Sequence, residues 1–292
     1  MAAPKGPTSR RVHLGKVLEK MREDRGLSTA EVASALGFSK EKLWRVESGR
    51  TSLPNPKDLT SLLEYYQQDD ETIDSLLTIH RESLQAGWWV PYNPHFQKGM
   101  RDYVGMETDA VSINAWQPNL VFGLLQTEEY ARALLESAKA ADEITTEFID
   151  SNVDLRMFRK RIITETEPRP LWVIMAEDAL RATIGGPEVM WRQYEEIARL
   201  SRLDHVTVQV LPATSAGYRA SQNFIILDLD EPLGRMVQAD HVNGQAWVTD
   251  KKPDVGRFSR RFEALRASAL APHETPQFLE ALQRRTGPST LQ

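Results

Sequence analysis

Across the first 70 or so residues, apolar positions recur at three- and four-residue spacing in short blocks, and glycine and proline separate the blocks. Leu14, Val17, Leu18 and Met21 share one helical face, so residues from about 13 to 25 read as an amphipathic helix that Gly26 stops. Ser28 is placed to cap the next helix, with Glu31 three residues on as its capping-box partner. That helix is short, Thr29 to Leu36, with Ala30, Val32, Ala33 and Leu36 as its apolar positions. Gly37 supplies a tight turn, Phe38 an anchor to the core, and Ser39 the cap of a third helix running to about Ser48. Gly49 ends it, and Pro54 and Pro56 mark a loop. A fourth helix from near Lys57 carries Leu59, Leu62, Leu63 and Tyr66 on one face. Ile73, Leu76, Leu77, Ile79 and Leu84 predict a fifth within 69–84.

Two short helices joined by a glycine turn and packed on a flanking helix form a helix-turn-helix arrangement. An ordinary bundle that binds nothing is the alternative, and the third helix argues against it. Its apolar positions are only Leu43 and Val46, so most of its surface faces outward. That surface carries Lys40, Glu41, Lys42, Trp44 and Arg45, with Arg50 in the loop beyond. A helix that exposes its N-terminal residues and basic side chains suits a DNA major groove. Lys can donate to guanine and Glu can accept from cytosine, so Lys40 and Glu41 favour a step containing a G·C pair, although Lys40 could equally touch phosphate. Trp44 has two readings, base contact or partial burial against neighbouring structure.

From about residue 100 the pattern is helical, then mixed. Val111 to Asn114 and Leu120 to Leu125 are apolar, Thr127 caps a helix, and another helix covers roughly 145–164. Residues 171–176, 206–211, 223–229, 235–242 and 246–250 read as strands. Pro187 opens a helix reaching about 203, and two helices near 254–269 and 274–285 close the chain. The fold class is α+β overall, an all-α helix-turn-helix domain followed by a mixed α+β domain. The expected domains are a flexible basic arm (1–12), the helix-turn-helix domain (13–85), a C-terminal regulatory or partner-binding domain (86–285) and a tail (286–292).

The net charge of -5 conceals an asymmetry. Residues 1–60 hold 12 Lys/Arg against 7 Asp/Glu, a net of +5, so the remainder carries -10. A basic end on an acidic body suits contact with a polyanion through that end. With no cysteine, disulfides, thiolate zinc sites and a cysteine nucleophile are excluded. No run of about 18 apolar residues suggests a membrane span, and the polar start lacks the apolar core of a signal peptide. The expected location is cytoplasmic, on the nucleoid, with no membrane partner.

Trp88, Trp89, Tyr92 and Phe96, broken by Pro91 and Pro94, are too apolar to lie fully exposed. They read as an aromatic clasp between domains, with a ligand pocket as the alternative. Arg156, Arg159, Lys160 and Arg161 cluster on one predicted helix and read as a solvated face, because acidic residues are interleaved nearby. No enzyme is expected. There is no glycine-rich phosphate loop and no HExxH, and the six histidines (His13, His80, His95, His205, His241, His273) lack metal-ligand spacing. Glu177 and Asp178 at a strand-to-helix junction read as helix N-terminal charges rather than a catalytic pair. Asp240, His241 and Ser221 have no nucleophile elbow to make them a triad. No metal or cofactor is expected.

The stretch LGKVLEKMREDRGLSTAEVASALGFSKEKLWRVESGRTSLP resembles the helix-turn-helix of the Xre family, to which phage repressors and Cro proteins belong. The resemblance covers about 60 residues through the combination of RGLS, EVASALGFS and RVESGR. It implies that Lys40, Glu41 and Trp44 occupy base-reading positions and that Arg45 reaches a base or a phosphate. It also implies that Lys42, Ser39, Arg50 and the backbone near Ser48 lie at the DNA. Arg22 and Glu47 match a pair that forms a buried salt bridge between the first and third helices. Thr29 stands where the family commonly has a phosphate-binding glutamine, and its hydroxyl reaches less far.

A second resemblance rests on EDALRATIGGPEVMWRQYEEIARLSRLDHVTVQVLP, GLLQTEEYARALL and YVGMETDAVSINAW. These resemble the large C-terminal domain of unknown function in many actinobacterial Xre-type regulators, with Phe122 standing where proline is usual. The resemblance implies an antitoxin-like regulator with a small protein partner encoded nearby. The expected protein is thus a sequence-specific transcriptional regulator that binds double-stranded DNA as a homodimer and whose C-terminal domain holds a small protein partner or effector. The alternatives are a protein-binding hub, in which sequestering the partner is the main role, and a small-molecule sensor.

Overall fold

The computed structural model describes residues 6–96, 99–240 and 246–286. The chain separates into two compact units. The first is Met1–Val90 with Gly105–Asp109 and Leu229–Gly234; the second is Pro91–Val104, Ala110–Asp228 and Arg235–Gln292.

The first unit contains α1 (Pro7–Asp24), α2 (Thr29–Leu36), α3 (Lys40–Glu47), α4 (Pro56–Tyr65) and α5 (Asp70–Ser83). Leu14, Leu18, Val32, Leu43, Val46, Leu59, Leu62, Leu63 and Tyr66 share one buried cluster, completed by Ile73 and Leu76 of α5. One expectation fails at the start. Helix α1 begins at Pro7, so residues 7–12 are helical rather than part of an arm; residues 1–5 lie outside the described residues. Proline suits a first helical position because that N–H has no intrahelical partner to lose. The open end is satisfied from far along the chain: Asp109 Oδ2 accepts from Gly6 N at 2.6 Å and from the Ser9 hydroxyl. A second distant contact joins Lys16 Nζ to the Leu233 carbonyl at 3.0 Å.

The second unit is built on a six-stranded sheet in the order β3-β2-β1-β4-β5-β6. Its elements begin with α6 (Met100–Thr108), whose last turn belongs to the first unit, and β1 (Ser112–Gln117). There follow α7 (Glu128–Ala138), α8 (Thr146–Lys160), β2 (Leu171–Ala176), the short α9 (Glu177–Arg181), α10 (Pro187–Leu200) and β3 (Val206–Leu211). The chain then runs through β4 (Phe224–Asp228), β5 (Arg235–Asp240), β6 (Ala246–Thr249), α11 (Lys252–Ser268) and α12 (Thr275–Thr286). Strands β1, β2 and β3 are parallel, and helices fill both crossovers, as parallel pairing requires. Strands β4, β5 and β6 add antiparallel neighbours on the other side of β1.

Strand β1 is the central element that the hydrophobic pattern did not reveal. SINAWQ has no clean alternation, and it is a strand because β2 and β4 pair with it on both edges. Trp116 is fully buried there, with its indole N–H on the Ala220 carbonyl at 3.0 Å. A second correction concerns the basic run on α8. Arg159 is buried, Lys160 pairs with Glu196, Arg156 donates to Gln126 Oε1 at 2.5 Å, and only Arg161 is exposed. The run is turned into the unit, so it is not a solvated face. Glu177 accepts from Ala213 N at 2.8 Å and pairs with Arg181, a structural assignment that leaves no free carboxylate there. His241 lies outside the described residues.

Candidate nucleic-acid interface

The turn between α2 and α3 is closed by local chemistry. Ser28 and Glu31 form the reciprocal capping box, Glu31 N to Ser28 Oγ at 3.2 Å and Ser28 N to Glu31 Oε2 at 2.8 Å. These bonds stabilise the Glu31 carboxylate and lower its pKa. Gly37 takes φ 66°, the left-handed conformation that glycine enters without penalty, and ends α2. Ser39 Oγ then accepts from Lys42 N at 3.0 Å and starts α3. Thr29, half-exposed, is the first residue of α2.

Helix α3 has two unlike faces. Leu43, Val46 and Glu47 are buried; Lys40, Glu41, Trp44 and Arg45 are exposed. Trp44 keeps 46% of its surface in solvent, which decides between its two readings: within the described residues it is not covered. Arg50 lays its guanidinium over the Trp44 ring, 4.4 Å from the centroid, a cation–π contact that holds both side chains on the open side. Arg45 and Glu41 pair at 2.7 Å across one helical turn, both exposed. Lys42 is directed elsewhere. It is half-buried, pairs with Asp58 of α4 at 2.7 Å and sits 3.9 Å over the Phe38 ring. The open face is therefore Lys40, Glu41, Trp44, Arg45 and Arg50.

The buried face is clamped to α1. Arg22 donates from Nε to Glu47 Oε1 at 2.8 Å and from Nη2 to Glu47 Oε2 at 3.1 Å, and its Nη1 donates to the Leu27 carbonyl at 3.0 Å. The planar fork matches the carboxylate with two parallel bonds. Hydrogen bonding to Glu47 raises the pKa of Arg22, so the pair stays charged although both partners are buried. Gly15 lets α1 approach: a Cβ there would lie 2.5 Å from the Val46 carbonyl oxygen and 2.6 Å from that of Glu47.

Two contributors were missed in the sequence. Arg11, placed in the expected arm, donates from Nε to the Gly49 carbonyl at 2.7 Å and steadies the turn after α3. His80 of α5 bonds the Leu53 carbonyl at 2.7 Å and holds the loop leading to α4. Arg11 could have been found only by extending the first helix back to Pro7; His80 gave no sequence signal beyond its helical position. Among the aromatic residues, Trp88 and Trp89 meet edge to face with centroids 5.8 Å apart, and Trp88 donates to the Thr108 hydroxyl at 3.1 Å. Trp89 is buried, whereas Tyr92 and Phe96 are half-buried and belong to the second unit.

No group of three or more metal-ligating side chains is found among the described residues, and no described helix is long and apolar enough to cross a membrane. A family model described as a helix-turn-helix domain matches residues 13–76, which contain α2, the turn and α3. That match marks a DNA-binding regulator. Neither the curated proteins nor the solved structures searched contain a match. The model of a domain of unknown function, DUF5753, matches residues 100–281, well over half of the chain. The chain therefore belongs to the DUF5753 family, with a helix-turn-helix domain at its N-terminal end.

Proposed function

We propose that the protein is a transcriptional regulator of the Xre type that inserts α3 into the major groove of double-stranded DNA. The observation that carries this reading is the division of α3: one side clamped by the buried Arg22–Glu47 pair, the other presenting Lys40, Glu41, Trp44, Arg45 and Arg50 to solvent. Lys40 and Arg45 donate to base edges, Glu41 accepts, and Trp44 offers an apolar surface to a thymine methyl. Thr29, Ser39 and Arg50 contact phosphate and set the register, with Lys42 contributing charge from the side of the helix. The protein acts as a homodimer, with two such helices on half-sites about 34 Å apart. The DUF5753 domain binds a small protein partner or an effector that adjusts DNA affinity.

The test starts from a duplex selected out of a random pool by the purified protein. In a mobility-shift assay, the double variant Lys40→Ala, Arg45→Ala loses at least about 30-fold in affinity, the equivalent of roughly 2 kcal/mol of base contacts. Its melting curve is unchanged, because both side chains are exposed. Wild-type affinity in that variant refutes the assignment of α3.

A further inference from the structure

The inward-turned basic run on α8 has a use that DNA binding does not absorb. Arg159 is buried and sits over the Tyr103 ring, and Lys160 pairs with Glu196 and donates to the Gln126 carbonyl at 3.1 Å. Arg156 is different. Its one hydrogen-bond partner among the described residues is neutral, Gln126 Oε1 at 2.5 Å, and no carboxylate lies within ion-pair distance of it. Gln126 is itself fixed, buried and donating to the Val121 carbonyl at 2.8 Å.

The side chain is partly open to solvent, yet loss of hydration is the first cause that pushes its pKa down, to about 10. Partial exposure combined with strong desolvation describes a group at the floor of a recess rather than on an open face. The surrounding charges are unbalanced. Repulsion from Arg159 outweighs the attraction of Tyr130 and of the more weakly acting Asp240. Asp240 is also committed elsewhere, accepting from Asn223 at 2.6 Å and from Gln238 at 2.7 Å. A guanidinium offers five donors in a planar fork, and here a single donor is used within the fold. An uncompensated, poorly hydrated guanidinium gains most from an oxyanion that fills its open donors and cancels its charge.

We infer that Arg156 anchors an oxyanion group, a phosphate or a carboxylate, of a small ligand bound in the second unit. This rests on the effector-binding role proposed above and names the chemistry of that effector. Sodium phosphate and sodium acetate serve as probes on the full chain, each against sodium chloride of equal ionic strength, with melting temperature as the readout. The expected result is a saturable rise of at least about 3 °C with one of the two oxyanions, consistent with ligand linkage in a chain of this size.

Arg156→Gln abolishes the rise, Arg161→Gln on the exposed part of the same run retains it, and Arg156→Lys moves its midpoint to higher concentration. The variant Lys40→Ala, Arg45→Ala also retains it, which separates this site from the DNA face. A wild-type protein that shows no saturable rise with either oxyanion overturns the inference, as does Arg156→Gln responding like wild type. If Arg156→Gln gives no cooperative melt, Arg156→Lys decides, and an unchanged midpoint is the refuting result. Mobility shifts on the same preparations keep the two readings apart: an Arg156-dependent response in a protein that binds no selected duplex sinks the regulator and leaves the oxyanion site standing.

Discussion

Removing the Glu47 carboxylate is the most demanding test of how α3 is held. In Glu47→Ala the Arg22 guanidinium keeps its bond to the Leu27 carbonyl but loses both bonds to its counter-charge while still 9% exposed. Breaking one side of a buried pair costs about 3–5 kcal/mol, because the remaining charge stays desolvated. A small domain has about 5–15 kcal/mol in total, so this change consumes a large share of the stability of the first unit. The chain has two compact units, and a single global unfolding energy is therefore not well defined. The appropriate assay is native-state hydrogen exchange read at the amides of α1 and α3. Those amides are expected to exchange roughly a hundred- to a thousandfold faster in Glu47→Ala, with binding to selected DNA lost in parallel. The double variant Arg22→Met, Glu47→Leu recovers most of the protection, because neither charge remains to be desolvated; the unpaired Leu27 carbonyl limits the recovery by about 1 kcal/mol. If Glu47→Ala stays within about 1 kcal/mol of wild type, or the double variant is as open as the single one, the reasoning is wrong.

Two further outcomes follow from the same unit. Gly15→Ala places a Cβ 2.5 Å from the Val46 carbonyl and should push α1 off α3, costing about 1–3 kcal/mol in a urea melt followed by α-helical circular dichroism; an unchanged midpoint would show that the helices separate freely. Burial lowers the His13 pKa below its ordinary 6.5, and its Nδ1 has no hydrogen-bond partner among the described residues, so the native state prefers the neutral ring. The unfolded chain takes up that proton first. The His13 contribution is thus complete above pH 6.5 and lost as pH falls from there toward the folded-state pKa. His13→Leu should flatten the fall in urea stability between pH 7.5 and 5.5, and parallel slopes for the two proteins would exclude the histidine.

The helix-turn-helix was legible because its determinants are local. The Ser28–Glu31 box, Gly37 at φ 66° and the Ser39 cap act over three or four residues, and the structure realises each of them. The apolar spacing likewise placed α2, β2 and β3 at the residues where they occur. Strand β1 was not legible, since a central strand is defined by partners on both edges that come from 50 and more residues away. The character of α8 was missed for a related reason: interleaved acids in the sequence do not reveal that Arg156 and Arg159 face inward.

By itself the sequence determined the α+β class, the short-range turns and caps, and the residues of α3 that have no apolar partner to bury them. Only the tertiary structure decided that Asp109 closes the start of α1, that the Leu233 carbonyl receives Lys16, that Lys42 turns to Asp58, and that Arg156 lacks a counter-charge. The reason is one of range. Capping and periodicity are set by neighbours along the chain, whereas the partner of a long charged side chain is set by which distant segment the packed core brings within about 3 Å of it.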